Sequence, residues 1–345
     1  MKKITYAQAI SEALCIMMAA DPNVVLMGIG VDYSSGIFGT TNEAFNQFGA
    51  SRVIDTPAME NALTGIAIGS ANVGLKPILI HARNDFMLLS LDQLLNVAAK
   101  WRYMFNGNAG TTPIITRAII GRGWGQGATH SQSIQSTLAH FPGLRVVMPS
   151  NPADAKGMLL SAWQCLDPIV ILEHRSLFNI EGEVEEGAEF TDLDSAKIVK
   201  QGDDITIVAT SVCVYESLLI ASELDMLGIS VEVVDLRTIQ PIDRSTILAS
   251  VKKTKRLLIY DTSWVNFGVG AEIAAIIAET DNLTLKTPVV RVGQLGVPAP
   301  VSKPLEDQHY PTSKSVLEII QRMMSRNIVE TRIIPSVTKS FQGPY

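Results

Sequence analysis

Arg52-Val53-Ile54-Asp55-Thr56-Pro57-Ala58-Met59-Glu60 is the stretch from which the rest of the chain is read. A short apolar strand ends in a turn at Thr56-Pro57. A helix rich in small residues follows, Asn61-Ala62-Leu63-Thr64-Gly65-Ile66-Ala67-Ile68-Gly69-Ser70-Ala71-Asn72-Val73-Gly74. A carboxylate opening so apolar a helix is poorly solvated unless something binds it. A buried Glu has its pKa pushed up and can move a proton near neutral pH. Glu60 could equally be a first-turn acid favoured by the helix dipole. On this segment both readings stand.

Working outward, strands and helices alternate. The apolar runs Val24–Gly28, Pro77–His81, Pro113–Arg117, Leu144–Met148 and Ile169–Leu172 predict buried parallel strands. Helices are predicted between them at 5–20, 59–73, 88–103, 132–140 and 152–164. From Phe178 to Lys200 the pattern stops, and Glu181-Gly182-Glu183-Val184-Glu185-Glu186 predicts a solvated acidic linker. A second series begins at Ile205–Ala209 and continues through Val231–Asp235, Leu257–Asp261 and Val289–Val292. The fold class is therefore α/β, two doubly wound domains with mostly parallel sheets. Their bounds are expected at 1–177 and 201–325, with the linker at 178–200 and a C-terminal arm at 326–345.

The length of 345 residues agrees with two domains. Hydrophobic residues make up 47% and mean hydropathy is +0.22, which suggests burial of surface between chains. A net charge of −6 without a basic block argues against nucleic acid or an anionic membrane as partner. Cys15, Cys165 and Cys213 lack CxxC spacing and fit a reducing compartment, with neither a disulfide framework nor a zinc site. The start shows no signal-peptide core, and no stretch approaches 18 uninterrupted apolar residues. A soluble cytoplasmic protein is expected.

Gly121-Arg122-Gly123-Trp124-Gly125-Gln126-Gly127 has the look of a nucleotide loop. It lacks the acid about twenty residues on that a dinucleotide fingerprint requires. A mobile active-site loop fits better. His130, just beyond it, is placed for proton transfer or for holding negative charge, unless Ser131 or Ser133 simply caps the next helix. Phe86 reads as a core aromatic or as a platform for a flat heterocycle. Gly65 and Gly69 would admit a close helix, within the chain or from another one.

Several runs, in order, resemble the beta chain of the thiamine-diphosphate-dependent 2-oxo acid dehydrogenases of the pyruvate and branched-chain type. They include Asp55-Thr56-Pro57-x-x-Glu60, Gly74-Leu75-Lys76-Pro77, Asp85-Phe86, Asp92-Gln93-x-x-Asn96-x-Ala98-Ala99-Lys100 and His130-Ser131-Gln132-Ser133. Pro142-Gly143-Leu144-Arg145-Val146-Val147-Met148-Pro149, Asp235-Leu236-Arg237-Thr238 and Val297-Pro298-Ala299-Pro300 continue the match, which spans roughly residues 4 to 325.

The resemblance implies a pyrimidine-binding domain followed by a transketolase C-terminal-like domain. It implies that Glu60 bonds the aminopyrimidine ring nitrogen of thiamine diphosphate and favours the tautomer that removes the thiazolium proton. Phe86 would stack on that ring, with Ile29 and Ala58 lining the pocket. His130 would act in acyl transfer to a lipoyl group. Ile114, Ala162, Trp163, Cys165 and Asp167 correspond to the carbonyls that hold a structural potassium ion. The family's Gly-Asp-Gly…Asn motif for diphosphate and magnesium is absent from this sequence. An alpha chain is then expected to bind that end, in a heterotetramer containing a second beta chain and working with a lipoyl acyltransferase. Gly28-Ile29-Gly30-Val31 stands where the family carries an acidic pair, and Pro300-Val301 where it carries Pro-Tyr. Two other readings remain: a two-chain transketolase-like enzyme making a carbon–carbon bond, and a non-catalytic assembly subunit.

Overall fold

The structure is a computed structural model that describes residues 1–33, 36–122 and 125–326. Ser34, Ser35, Gly123 and Trp124 lie outside the described residues, as does the expected C-terminal arm beyond Arg326. Among the described residues two compact units emerge: Met1–Gly121 with Thr137–Leu193, and Arg122–Ser136 with 194–326.

The first unit contains β1 (Lys2–Thr5), α1 (Tyr6–Ala20), β2 (Val24–Gly28), α2 (Asn42–Phe48), β3 (Val53–Asp55), α3 (Glu60–Asn72) and β4 (Lys76–His81). Then come α4 (Asn84–Met87), α5 (Trp101–Met104), β5 (Ile115–Ile120), α6 (Gln135–Ala139), which runs across the boundary, β6 (Arg145–Val147), α7 (Pro152–Gln164), β7 (Ile169–His174) and β8 (Glu181–Val184). Its main strands run in the order β6-β7-β5-β4-β2-β3, all parallel. β2, β5 and β7 are buried along their whole length; β2 is wholly apolar, whereas β5 and β7 bury Arg117 and Glu173 as an ion pair. Sequence chemistry sets the helix starts. Thr5 and Gln8 close a capping box on α1, and Asn151 caps α7 ahead of Pro152. α3 is held by Leu63, Ala67 and Ile68, which pack in one cluster with Met27 of β2 and Leu79 of β4.

The second unit contains β9 (Lys197–Lys200), β10 (Ile205–Ala209), α8 (Val212–Met226), β11 (Val231–Asp235), β12 (Thr238–Gln240) and α9 (Arg244–Thr254). It continues with β13 (Leu257–Trp264), α10 (Val269–Ala278), β14 (Val290–Gln294), α11 (Lys303–His309) and α12 (Ser313–Met323). Its sheet runs β14-β13-β10-β11-β9, parallel except for β9. Among the described residues no helix is long and apolar enough to cross a membrane.

Three local expectations change. The acidic stretch is not a bare tether: β8 pairs antiparallel with β1, and β9 pairs with β11. Val184 and Phe178 are buried while Glu181 and Glu183 face out, and Phe178 packs against Tyr6 and Phe38. β5 begins at Ile115 rather than Pro113, because Pro113 has no N–H to give to a ladder. The helix expected over 88–103 is broken into a 3₁₀ turn at Leu88–Ser90, a π segment at Asp92–Ala98 and α5, with Ala99 N–H bonding Leu94 O.

Candidate active site

Four of the predicted site residues gather at the carboxyl ends of neighbouring strands. In the β3-β2-β4 part of the sheet, Gly28 is in register with both Asp55 and Ile80. Ile29 after β2, Ala58 after β3 and Phe86 after β4 therefore leave the same edge as Glu60. This is the edge at which parallel α/β sheets take their ligands. The turns are tied together: Thr56 N–H bonds Gly28 O at 3.2 Å, and Gly30 N–H bonds an Asp55 carboxylate oxygen at 2.6 Å.

Glu60 is the first residue of α3 and 8% exposed. Its carbonyl accepts from the Thr64 hydroxyl at 2.7 Å and the Ser90 hydroxyl at 3.2 Å. Its carboxylate takes no hydrogen bond or ion pair from any described residue. Its oxygens are not fully buried, so they stay open to a ligand at this edge. Ser90 also reaches His81 Nε2 at 3.4 Å, and burial lowers the His81 pKa to about 4, so this neighbour is neutral at physiological pH. Phe86 is 38% exposed and not a core residue. Ile29 and Ala58 are exposed beside it.

His130 belongs to the second unit, on the excursion Arg122–Ser136. It is half-buried, with Nδ1 3.0 Å from the Thr129 hydroxyl. A network fixes the loop just after it. The Ser133 hydroxyl donates to Gln135 Oε1 at 2.7 Å and lies 2.8 Å from the Thr262 hydroxyl. Gln135 Nε2 donates to Asp261 Oδ1 at 2.7 Å, and so does the Thr210 hydroxyl at 2.6 Å. Burial raises the Asp261 pKa against these bonds. Sequence reasoning missed Asp261, Gln135 and Thr210. The available signal was an acid closing the apolar run that starts β13.

The residues matched to a potassium site come together elsewhere. Ile114 precedes β5, and Ala162, Trp163, Cys165 and Asp167 lie between the end of α7 and β7. Ile169 N–H bonds Ile114 O at 3.0 Å, which joins the two segments at the amino end of the sheet, opposite Glu60. Asp167 pairs with Arg102 at 3.1 Å. A cavity of about 1070 Å³ also lies here, between Ala99, Arg102, Tyr103, Pro142 and Leu166. It contains none of the predicted catalytic residues, so size alone does not mark the site.

Residues 2–181 match the transketolase pyrimidine-binding domain and residues 194–316 the transketolase C-terminal domain. The split-gene transketolase, solved as an inactive beta4 tetramer, shares the fold at a TM-score of 0.76 and 22% identity, over 93% of this chain and 98% of that one. The fold and site thus define a subunit of the thiamine-diphosphate class. The acetoin:2,6-dichlorophenolindophenol oxidoreductase beta subunit of Cupriavidus necator is 37% identical over 94% of this chain and 98% of its own. The mitochondrial pyruvate dehydrogenase E1 beta-2 subunit of Oryza sativa is 38% identical over 95% and 88%. The 2-oxoisovalerate dehydrogenase beta subunit of Bacillus subtilis is 35% identical over 94% and 99%. The chain belongs to the beta-subunit family of the thiamine-diphosphate-dependent 2-oxo acid dehydrogenases.

Proposed function

We propose that this chain supplies the pyrimidine half of a thiamine-diphosphate site and acts with an alpha chain that binds the diphosphate and magnesium, decarboxylating a 2-oxo acid and passing the acyl group to a lipoyl acyltransferase. The observation that carries this reading is Glu60, a largely buried residue whose carboxyl has no partner among the described residues, at the same strand edge as the half-exposed Phe86. The residues fit the cofactor. An acid at the start of α3 can hold a proton on a ring nitrogen, Phe86 offers a stacking face, and Ala58 leaves room. Bound there, thiamine diphosphate supplies a carbon nucleophile for the oxo group. Glu60 keeps the proton at the pyrimidine, and His130 handles charge on the substrate side. Ile114 and the carbonyls of the last turn of α7, where the helix dipole favours a cation, would hold a structural potassium ion. That ion would sit at the amino end of the sheet and take no part in the chemistry.

The face of α3 carrying Gly69, Ile66 and Val73 supports contact with further chains, a second beta chain included. Ile66 is 53% and Val73 82% exposed, and a Cβ added at Gly69 would meet nothing within 4 Å. A reducing, cytoplasmic setting is supported by three free cysteines. A second reading, carbon–carbon bond formation, rests on Ile29 and Gly30 standing where the family carries acids.

The test is Glu60→Gln, purified with the alpha chain. Thiazolium hydrogen–deuterium exchange should fall about 10²–10⁴-fold with assembly intact. A variant that assembles and exchanges within a few-fold of wild type overturns the role given to Glu60. Acyl-lipoyl formation against carboligation product separates the two readings.

A further inference from the structure

The loop that carries His130 is braced at its entry by a buried ion pair. Arg122, where the excursion into the second unit begins, is 8% exposed, and its Nη1 lies 3.2 Å from Glu306 Oε2 on α11. Its guanidinium also sits 4.2 Å from the centre of the Tyr310 ring, just beyond α11. Further along, Gly127 runs hard against the segment that leads into α11. It has φ +68°, and a Cβ there would meet Val301 Cγ2 at 2.6 Å. The Gly127 carbonyl in turn accepts from His130 N–H at 3.4 Å. The entry brace and the network at the exit meet on one strand. His309, the last residue of α11, packs edge-on against Tyr310 at 4.7 Å, and its Nε2 lies 3.3 Å from Gln294 Oε1 at the end of β14. Gln294 Nε2 donates to Thr262 O on β13 at 2.7 Å. The Thr262 hydroxyl is the group that meets Ser133 and Gln135. Arg122, α11, β14 and β13 therefore close a ring of contacts around the loop, with His130 between its two attachments.

We propose that Arg122, paired with Glu306, is a positioning residue for His130: it fixes the entry of the loop so that the imidazole is presented in one place. This rests on the role given to His130 above. Between the attachments the chain contains Gly125 and Gly127, both at positive φ, so its own backbone does little to hold it. The attachments must do so instead. A buried ion pair adds little net stability over well-packed apolar side chains, and its directional contacts serve to select one arrangement. Loss of the entry brace should displace His130 without touching Glu60, which belongs to the other unit. The step that uses His130 then slows, while activation of the thiazolium does not.

Two measurements test this. The first is a double-mutant cycle on the complex with the alpha chain. Arg122→Met should slow acyl transfer or carboligation about 10–100-fold, the scale of a misplaced group, with thiazolium exchange near wild type. In a His130→Ala background the same change should slow that step less than about twofold, because the group it positions is already gone. An equal factor in both backgrounds overturns the proposal, since a merely structural role is blind to His130. Arg122→Lys keeps the charge beside Glu306 but not the planar face over Tyr310, and should recover part of the rate. Glu306→Gln removes the pair from the other side with little change of shape and should repeat the Arg122→Met pattern. The second measurement needs no turnover. In the full chain, amide hydrogen exchange across residues 125–131 should lose protection in Arg122→Met and Glu306→Gln and keep most of it in Arg122→Lys. Exchange in α8 and β10 serves as the control for an intact second unit. Unchanged protection of the loop in both Arg122→Met and Glu306→Gln overturns the proposal. Lost protection with no slowing in either Arg122→Met or His130→Ala keeps the brace and rejects the role given to His130 instead.

Discussion

Replacing Asp261 should loosen the loop that carries His130, although Asp261 is remote from it in sequence. Asp261 Oδ1 accepts from Gln135 Nε2, the Thr210 hydroxyl and Thr262 N–H, at 2.7, 2.6 and 2.9 Å. Asp261→Ala strands the Thr210 hydroxyl and Thr262 N–H in a buried setting and leaves Gln135 Nε2 only the Thr262 hydroxyl, at 3.1 Å. At about 1–3 kcal/mol per stranded group, with partial relaxation, the loss is about 3–6 kcal/mol. That is a large share of the 5–15 kcal/mol or so that holds a typical domain together. Asp261→Asn keeps an acceptor and should stay within about 1 kcal/mol of wild type at acid pH. Its advantage should grow with pH. The folded pKa of Asp261 is raised by burial, so its contribution is full below 3.8 and is lost as pH rises through the folded value. The amide has no such loss. Urea unfolding gives the stability, and amide hydrogen exchange across residues 129–136 reports the loop. An Ala variant within about 1 kcal/mol of wild type and with unchanged exchange at Ser133–Gln135 would refute the anchoring.

Breaking the Arg117–Glu173 pair from one side should be severe, because both are almost wholly buried: Arg117→Met alone is expected to cost about 3–5 kcal/mol. Adding Glu173→Leu should recover most of that in a thermal melt. His81 makes the first unit acid-sensitive. Its folded pKa is about 4 against 6.5 unfolded, so its contribution of about 3 kcal/mol is present above pH 6.5 and disappears as pH falls toward 4. His81→Gln should flatten the pH dependence of unfolding in that window. His130→Ala, assembled with the alpha chain, should leave thiazolium exchange near wild type while acyl transfer or carboligation drops about 10²-fold or more. Equal collapse of both steps would end the division of labour between His130 and Glu60.

The sequence by itself determined the strands and the order of the motifs. Val24–Gly28 is wholly apolar, Ile205–Ala209 and Val231–Asp235 are apolar apart from Thr206, Glu232 and Asp235, and each is a strand with the predicted limits. A buried parallel strand largely announces itself locally, since most of its side chains are apolar whatever its neighbours are. Glu60 was legible for a related reason: a charge opening an apolar helix is anomalous in any fold. Tertiary structure decided what depends on partners far along the chain. Residues 122–136 join the second unit because Ser133 and Gln135 bond Thr262 and Asp261, more than a hundred residues away, and no local pattern encodes that choice. The acidic stretch became β8 and β9 because β1 and β11 offered open edges. Periodicity and propensity act over a few residues, whereas burial and charge balance are properties of the assembled neighbourhood.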